Sequence, residues 1–334
     1  MSAIIKSEKK HFPVLLNELI SIISPLYGGT FIDCTFGNGG YSKEILKHQF
    51  NKVISLDRDE NVLKVVSKFK LKYRNRFDFK HLRFSQLSRI TPKPKNLKGI
   101  IFDLGFSLNQ IKDKSKGLSF NSNTKLNMRM GLNEFSAHDV INKLEYEDLY
   151  RIIKFLGDEQ KAKFISRKIV AKRQSHMINT QDLVKIIDDV KKYRFTKTHN
   201  STKTFQAVRI FVNNEISELI YGLIESFKLI PLGGVIAVVT FHSLEDKIVK
   251  FFFKYYSEKS NLSRYLPNQK EKKILFTLKN KKPILPSDKE IKINPPSRSA
   301  KLRYAIKIEN NEDFKDFVEK FKIYLDIENI KKKL

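Results

Sequence analysis

Residues 30–41 read TFIDCTFGNGGY, a short apolar run followed by three glycines in four positions. Glycine loses more chain entropy on folding than any other residue, so such a cluster marks backbone that something must approach closely. A strand that delivers a glycine-rich turn into a helix leaves main-chain N–H groups facing a ligand. Asp57 ends the next apolar run, KVISLD (52–57), twenty residues beyond Gly37. That is the separation at which an acid meets ribose hydroxyls in a nucleoside-binding α/β unit. The loop is GxGG rather than GxGxxG, because Tyr41 and Ser42 follow the last glycine. This speaks against a pyrophosphate cofactor, and so against a nicotinamide-dependent dehydrogenase. It suits a nucleoside without phosphates, such as S-adenosylmethionine. A second strand-end carboxylate, Asp103, closes GIIFDLG (99–105); its plainer job is a helix N-cap, and the two roles can coexist.

Outward from the loop, residues 30–110 alternate apolar runs with helix-compatible stretches. FKHLRF (79–84) joins the three runs above as a strand, and SKEILKHQ (42–49) and NVLKVVSKFK (61–70) lie between them. The alternation predicts an α/β fold with a mostly parallel sheet covered on both faces. From 112 to 215 strand signals vanish and helical periods take over, as at Leu149, Ile152, Ile153 and Leu156. A helical insertion of about 100 residues is within the usual domain range. The expected division is 1–111 for the first part of the sheet domain, 112–215 for the insertion and 216–334 for the second part. Strands return with GGVIAVVTF (233–241), and KILFTL (273–278) and KLRYAIKI (301–308) read as an antiparallel pair on the sheet's edge. The Lys- and Pro-rich linker between them reads as irregular. A single amphipathic helix, EDFKDFVEKFKIYLDI (312–327), is expected near the end.

The chain has 334 residues, with 64 Lys+Arg against 36 Asp+Glu and a formal net charge of +28. Such an excess suits a polyanionic partner, RNA or DNA. An AT-rich genome, which favours Lys, Asn, Ile and Phe codons, competes as an explanation for the lysines, though not for the shortage of acids. No run approaches the roughly 20 apolar residues of a membrane span. The single Cys34 builds no disulfide framework, and the reading is a cytoplasmic protein. The seven histidines are scattered and no metal is expected.

Longer motifs carry a family resemblance. HFPVLLNELI (11–20), FIDCTFGNGGYS (31–42), SLDRD (55–59), FDLGFSLNQI (102–111), GLSFN (117–121), MRM (128–130), TFQAVRIFVNNE (204–215), FHSLEDKIVK (241–250) and NPPSRSAKLR (294–303) follow one another along nearly the whole chain. In order and content they resemble the RsmH (MraW) family, the bacterial 16S rRNA cytosine-1402 N4-methyltransferases. The resemblance implies a class I S-adenosylmethionine-dependent methyltransferase: a Rossmann-like, mostly parallel seven-stranded sheet with an inserted helical domain for substrate recognition. It implies cofactor binding by Gly39, Gly40, Tyr41, Asp57, Phe84, Asp103 and Gln110. The partners it implies are 16S rRNA or the small ribosomal subunit, without a membrane and with room for a homodimer. Tyr41 stands where the family usually has His, Asn127 where it usually has Asp, and Leu108-Asn109 where Ser-Pro is common.

N4-methylation of cytosine needs an in-line approach of amine to methyl and an acceptor that draws on an N4 proton. Asp103 and His242 are the candidate catalytic residues. The competing reading of His242 is structural: a hydrogen bond within the HSLED turn, with Ser243 capping the next helix and Asp246 completing a capping box. Phe106 and Phe120 are candidates to stack on an extruded base. Arg209 and Arg298 are candidates to hold phosphates, and 255–310 carries 14 Lys+Arg against 5 Asp+Glu. A non-catalytic RNA-binding module that kept a nucleoside pocket, or a methyltransferase acting on another nucleic acid, are the readings from other classes.

Overall fold

A computed structural model describes residues 13–24, 28–105, 113, 116–120, 125–192, 199–259, 273–311 and 313–334. Seven strands form one sheet: β1 Gly29–Asp33, β2 Asn51–Asp57, β3 Phe77–His81, β4 Leu97–Asp103, β5 Val235–Thr240, β6 Phe276–Thr277 and β7 Lys301–Lys307. Their order is β3-β2-β1-β4-β5-β7-β6. The first five run parallel, and β7 is antiparallel to both β5 and β6. The order reverses between β1 and β4, so the carboxyl ends of these two strands open the crevice where α/β sheets bind ligands.

The helices of the sheet domain are α1 Leu16–Ile23, α2 Gly40–Ile45 and α3 Leu63–Tyr73. The insertion supplies α4 Ala137–Lys143, α5 Tyr146–Arg151, α6 Ala162–Arg173, α7 Thr180–Lys191 and α8 Thr202–Asn213, and then α9 Glu215–Leu229 and α10 Ser243–Tyr255 return to the sheet. Strand alternation sorts the core into two layers. Phe31, Ile101 and Val239 pack with Leu19, Ile45 and Val66 on one face. Ile32, Ile100 and Val238 pack with Leu223 and Ile248 on the other. Insertion residues such as Val140, Leu149, Ile165 and Val208 belong to that second cluster. The inserted helices are therefore continuous with the sheet's core.

The insertion is pinned to the tip of β2. Arg58 Nη1 donates to the Asn213 carbonyl at 2.8 Å, and Met130 N donates to Asn213 Oδ1 at 2.9 Å. Asn213 Nδ2 donates to the Met128 carbonyl at 2.8 Å, and the buried Lys116 ammonium meets Asp59 at 2.6 Å. Each of these groups is removed from water, where a polar atom without a partner costs about 1–3 kcal/mol. The seam thus fixes the insertion against the strand end that carries Asp57. At the other end of α9, buried Lys307 donates to the Phe227 and Ile230 carbonyls at 2.8 and 2.9 Å and satisfies the helix's C-terminal acceptors.

Three expectations fail in detail. The C-terminal helix is two, α12 Lys315–Lys320 and α13 Lys322–Glu328, broken at Phe321. The linker before β7 is not irregular throughout, because it holds α11 Asp288–Ile293. Ser287 Oγ accepts from Glu290 N at 3.2 Å to cap it, a local signal that the sequence carried as Ser287-x-x-Glu290. The turn after β5 caps α10 one residue earlier than expected. His242, not Ser243, is the N-cap; its Nδ1 accepts from Glu245 N, while the Glu245 carboxylate takes the Phe241 and His242 N–H groups. Asp246 takes no part in the cap, because strand β7 brings Arg303 Nε to 2.7 Å and Lys301 Nζ to 3.1 Å from it. Among the described residues no helix is long and apolar enough to cross a membrane.

Candidate active site

A cavity of about 1080 Å³ lies at the carboxyl ends of β1, β2 and β4. It is roomier than one small ligand needs, since pockets for drug-sized molecules run from roughly 300 to 1,000 Å³. The glycine loop, Asp57, Phe84, Asp103, Phe120, Arg209 and His242 all line it. Residues as far apart in sequence as Gly37 and His242 are thus brought together because parallel strands end on one edge.

The glycines of the loop do different work. A Cβ on Gly40 would fall 2.1 Å from Pro13 Cγ, and one on Gly39 would fall 2.5 Å from the Phe69 ring and 2.8 Å from Phe36. These two are bare because the protein's own side chains press on them. Gly37, at φ +50°, meets nothing nearer than 4.0 Å and faces the cavity. Gly37 is therefore the position where backbone lies open to a ligand, and it was not among the expected contacts. Tyr41 is buried, and its hydroxyl donates to the Val14 carbonyl. Its side chain thereby ties the segment before α1 to the loop, a role independent of its backbone.

Three adjacent parallel strands end on aspartates. Asp57 Oδ2 accepts the Gly37 N–H at 2.8 Å and Oδ1 the Asp59 N–H at 2.9 Å. Burial pushes its carboxyl up against the pull of those two bonds. Asp33, which the sequence reading passed over, accepts from Ser42 Oγ at 2.6 Å and from Thr35 N at 3.3 Å. Ser42 in turn meets Ser55 Oγ at 2.8 Å, so Asp33 sits at the base of the loop and fixes its entry into α2. Burial pushes Asp33 up to about 6. Asp103 donates its backbone N–H to Thr35 Oγ1 at 2.8 Å. Its carboxyl Oδ1 is buried and has no hydrogen-bond partner among the described residues. Burial, reinforced by the neighbouring acids Asp33 and Glu245, pushes Asp103 well above the usual carboxylate range.

The raised Asp33 makes a testable statement about stability. Its folded carboxyl binds a proton more tightly than the unfolded one. The favourable contribution is therefore complete below pH 4 and lost as pH rises through about 6. Asp33→Asn removes that loss. Thermal unfolding of the ligand-free chain is expected to show the variant gaining on wild type between pH 4 and 7, by on the order of 3 kcal/mol. A constant difference across that window contradicts the assignment.

The lining also holds a network of charges. Arg209 holds Glu215 through both carboxylate oxygens at 2.9 Å, and Arg83 meets Glu218 at 3.2 Å. Arg209 is thus engaged in a buried ion pair, whereas Arg298 is exposed. Burial pushes Glu245 up, but the His242 ring and the Phe241 N–H more than offset it and hold its carboxyl below the ordinary range. Glu215, His242 and Glu245 offer atoms within 4.8 Å of one another, a juxtaposition the scattered histidines of the sequence did not reveal. Phe84 stands edge-on to Phe102 at 5.4 Å, beside Gly222. Phe120 already stacks on His199 at 4.7 Å and meets Phe205 edge-on at 4.9 Å. Gln110 and Phe106 lie outside the described residues.

Residues 8–308 match the family model described as the MraW methylase family. The "Ribosomal RNA small subunit methyltransferase H" of Rickettsia canadensis is 41% identical over 303 residues, covering 89% of this chain and 98% of its own. The proteins of the same name from Orientia tsutsugamushi (strain Ikeda) and Agrobacterium fabrum are 38% and 40% identical. They cover 89% and 90% of this chain and 98% and 88% of their own.

Proposed function

The chain belongs to the MraW methylase family, and from that premise we propose that it methylates N4 of a cytosine, position 1402, in the decoding region of 16S ribosomal RNA. It is an S-adenosylmethionine-dependent methyltransferase. The residues present fit that cofactor. Gly37 leaves open backbone, Asp57 stands at the β2 tip, and the neighbouring acids Asp33 and Glu245 make the surroundings of Asp103 suit a cationic ligand. Gly37, Asp57 and Asp103, with Gly40, Tyr41 and Phe84 around them, would hold it; when bound it supplies an electrophilic methyl on a sulfonium.

The observation that carries the reading is the unpartnered Asp103 Oδ1 inside the cavity. A buried acceptor with nothing to accept is costly unless a ligand completes it. An exocyclic amine does so. As the nitrogen attacks, its lone pair leaves the ring's conjugation and an N4 proton becomes acidic. Asp103 accepts that N–H and takes the proton, a general-base contribution of about 10²–10⁴-fold. A stacked cytosine hides its N4 from such a pocket, so the target must be single-stranded or extruded. The insertion and the basic 255–310 stretch are the parts to grip the surrounding phosphates, and the cytoplasm is the compartment this substrate implies.

Incubation with small-subunit rRNA and methyl-labelled S-adenosylmethionine tests the reading, with the modified nucleotide mapped by mass spectrometry. Label on the amine of one cytosine is expected. Label on a ring carbon or a ribose, or none on RNA, overturns it.

A further inference from the structure

Seven buried side-chain atoms among the described residues have no hydrogen-bond partner, and only two of them, Asp103 Oδ1 and His242 Nε2, belong to residues lining the cavity. They stand at neighbouring strand ends. Asp103 pairs in register with Val239, and His242 follows the end of β5 by two residues. One is an acceptor and the other is fixed as a donor. His242 Nδ1 accepts the Glu245 N–H at 3.4 Å, so in the neutral ring the proton resides on Nε2. Nε2 lies 3.0 Å from Glu245 Oε1 but out of line for a hydrogen bond, and its side chain is only 9% exposed. The turn that holds the ring is rigid, because the Glu245 carboxylate is itself anchored by the Phe241 and His242 N–H groups.

We propose that His242 reads the target base: its Nε2–H donates to ring N3 of cytosine while Asp103 Oδ1 accepts from N4. This rests on the N4-methylation reading above and adds the determinant of base identity. Cytosine presents a donor at N4 beside an acceptor at N3. Uracil presents the reverse, an acceptor at O4 beside an N3–H, and would set two like groups against each other on both contacts. Sites built from buried polar groups reject such analogues strongly, because the mismatch leaves the protein's own atoms unpaired. The N3 contact also withdraws electron density from the ring and makes the N4 proton easier for Asp103 to take. His242 thereby links selection of the base to the proton transfer.

The test replaces one atom of the substrate. A small-subunit rRNA fragment is prepared with either cytosine or 3-deazacytosine at the target, the latter keeping N4 and lacking the N3 acceptor. Wild type is expected to lose roughly 10- to 100-fold in kcat/KM on the deaza substrate, the effect of one buried donor left unpaired. His242→Ser keeps a side chain that caps α10 but cannot reach the base. It is expected to lose a similar factor on cytosine and to treat the two substrates alike. Calorimetric uptake of S-adenosylmethionine equal to wild type reports that the variant is folded. If His242→Ser still discriminates, or if wild type methylates both fragments equally, His242 does not read N3. If wild type leaves the cytosine amine unmethylated, the N4 reading itself fails, a distinct outcome.

Discussion

Replacing Asp103 by Asn is expected to lower kcat for methyl transfer, measured at saturating S-adenosylmethionine, by about 10²–10⁴-fold. The amide is nearly the same shape and keeps an oxygen toward the amine, but it cannot take a proton. The backbone N–H bond to Thr35 Oγ1 does not depend on the side chain, so the strand tip stays in place. The pH profile carries a second signature. Burial and the two neighbouring acids hold the Asp103 proton well above the ordinary range. Activity of wild type should therefore rise with pH as that proton leaves, with a midpoint above that of a free carboxylate. The Asn variant should lose that limb. Single-turnover measurements across pH separate this from slow product release. An Asn variant within a few-fold of wild type would remove Asp103 from the chemistry.

The largest expected effect on stability is at Gly131→Ala. Gly131 has φ +102°, and a Cβ there would lie 2.0 Å from the Arg58 carbonyl oxygen and 2.8 Å from its carbon. Both atoms are backbone, at the seam that fixes the insertion to the end of β2. Backbone strain of roughly 1–3 kcal/mol adds to an overpacking cost of similar size, about 2–6 kcal/mol in all. Gly233→Ala is the matched control. Its φ is +80° with nothing within 4 Å, so only the backbone term of about 1–2 kcal/mol applies. The thermal midpoint should fall clearly further for Gly131→Ala than for Gly233→Ala. Equal shifts would mean that the seam yields without cost.

The sheet was legible because its signals are local. Apolar runs ending on Asp57 and Asp103, glycines after the first run and a return of strand character at 233 all lie within a few residues. The cavity's composition was legible because parallel strands collect their tips on one edge. Harder to read was what each residue faces. The bare backbone at Gly39 and Gly40 answers to Phe69, Phe36 and Pro13, contacts between residues up to thirty positions apart. Asp33 looked like one residue of a buried strand, and only the fold brings Ser42 and Thr35 to its carboxyl. The cap at His242 shifted by one because strand β7, some 55 residues on, claims Asp246. The break at Phe321 has no breaker residue, and Phe314, Phe317, Phe321 and Tyr324 keep a helical rhythm across it.

The central claim is that the open backbone at Gly37, between the tips of β1 and β2, seats the cofactor. Calorimetric titration of S-adenosylmethionine into wild type and Gly37→Asn tests it most directly. Asparagine tolerates φ +50°, and its Cβ would come no nearer than 4.0 Å to a protein atom, so the variant should melt close to wild type. Wild type is expected to take up one molecule per chain, and the folded variant to bind at least about tenfold more weakly, because its side chain enters the ligand's space. Equal affinity in the two proteins, or no uptake by folded wild type, would contradict the account.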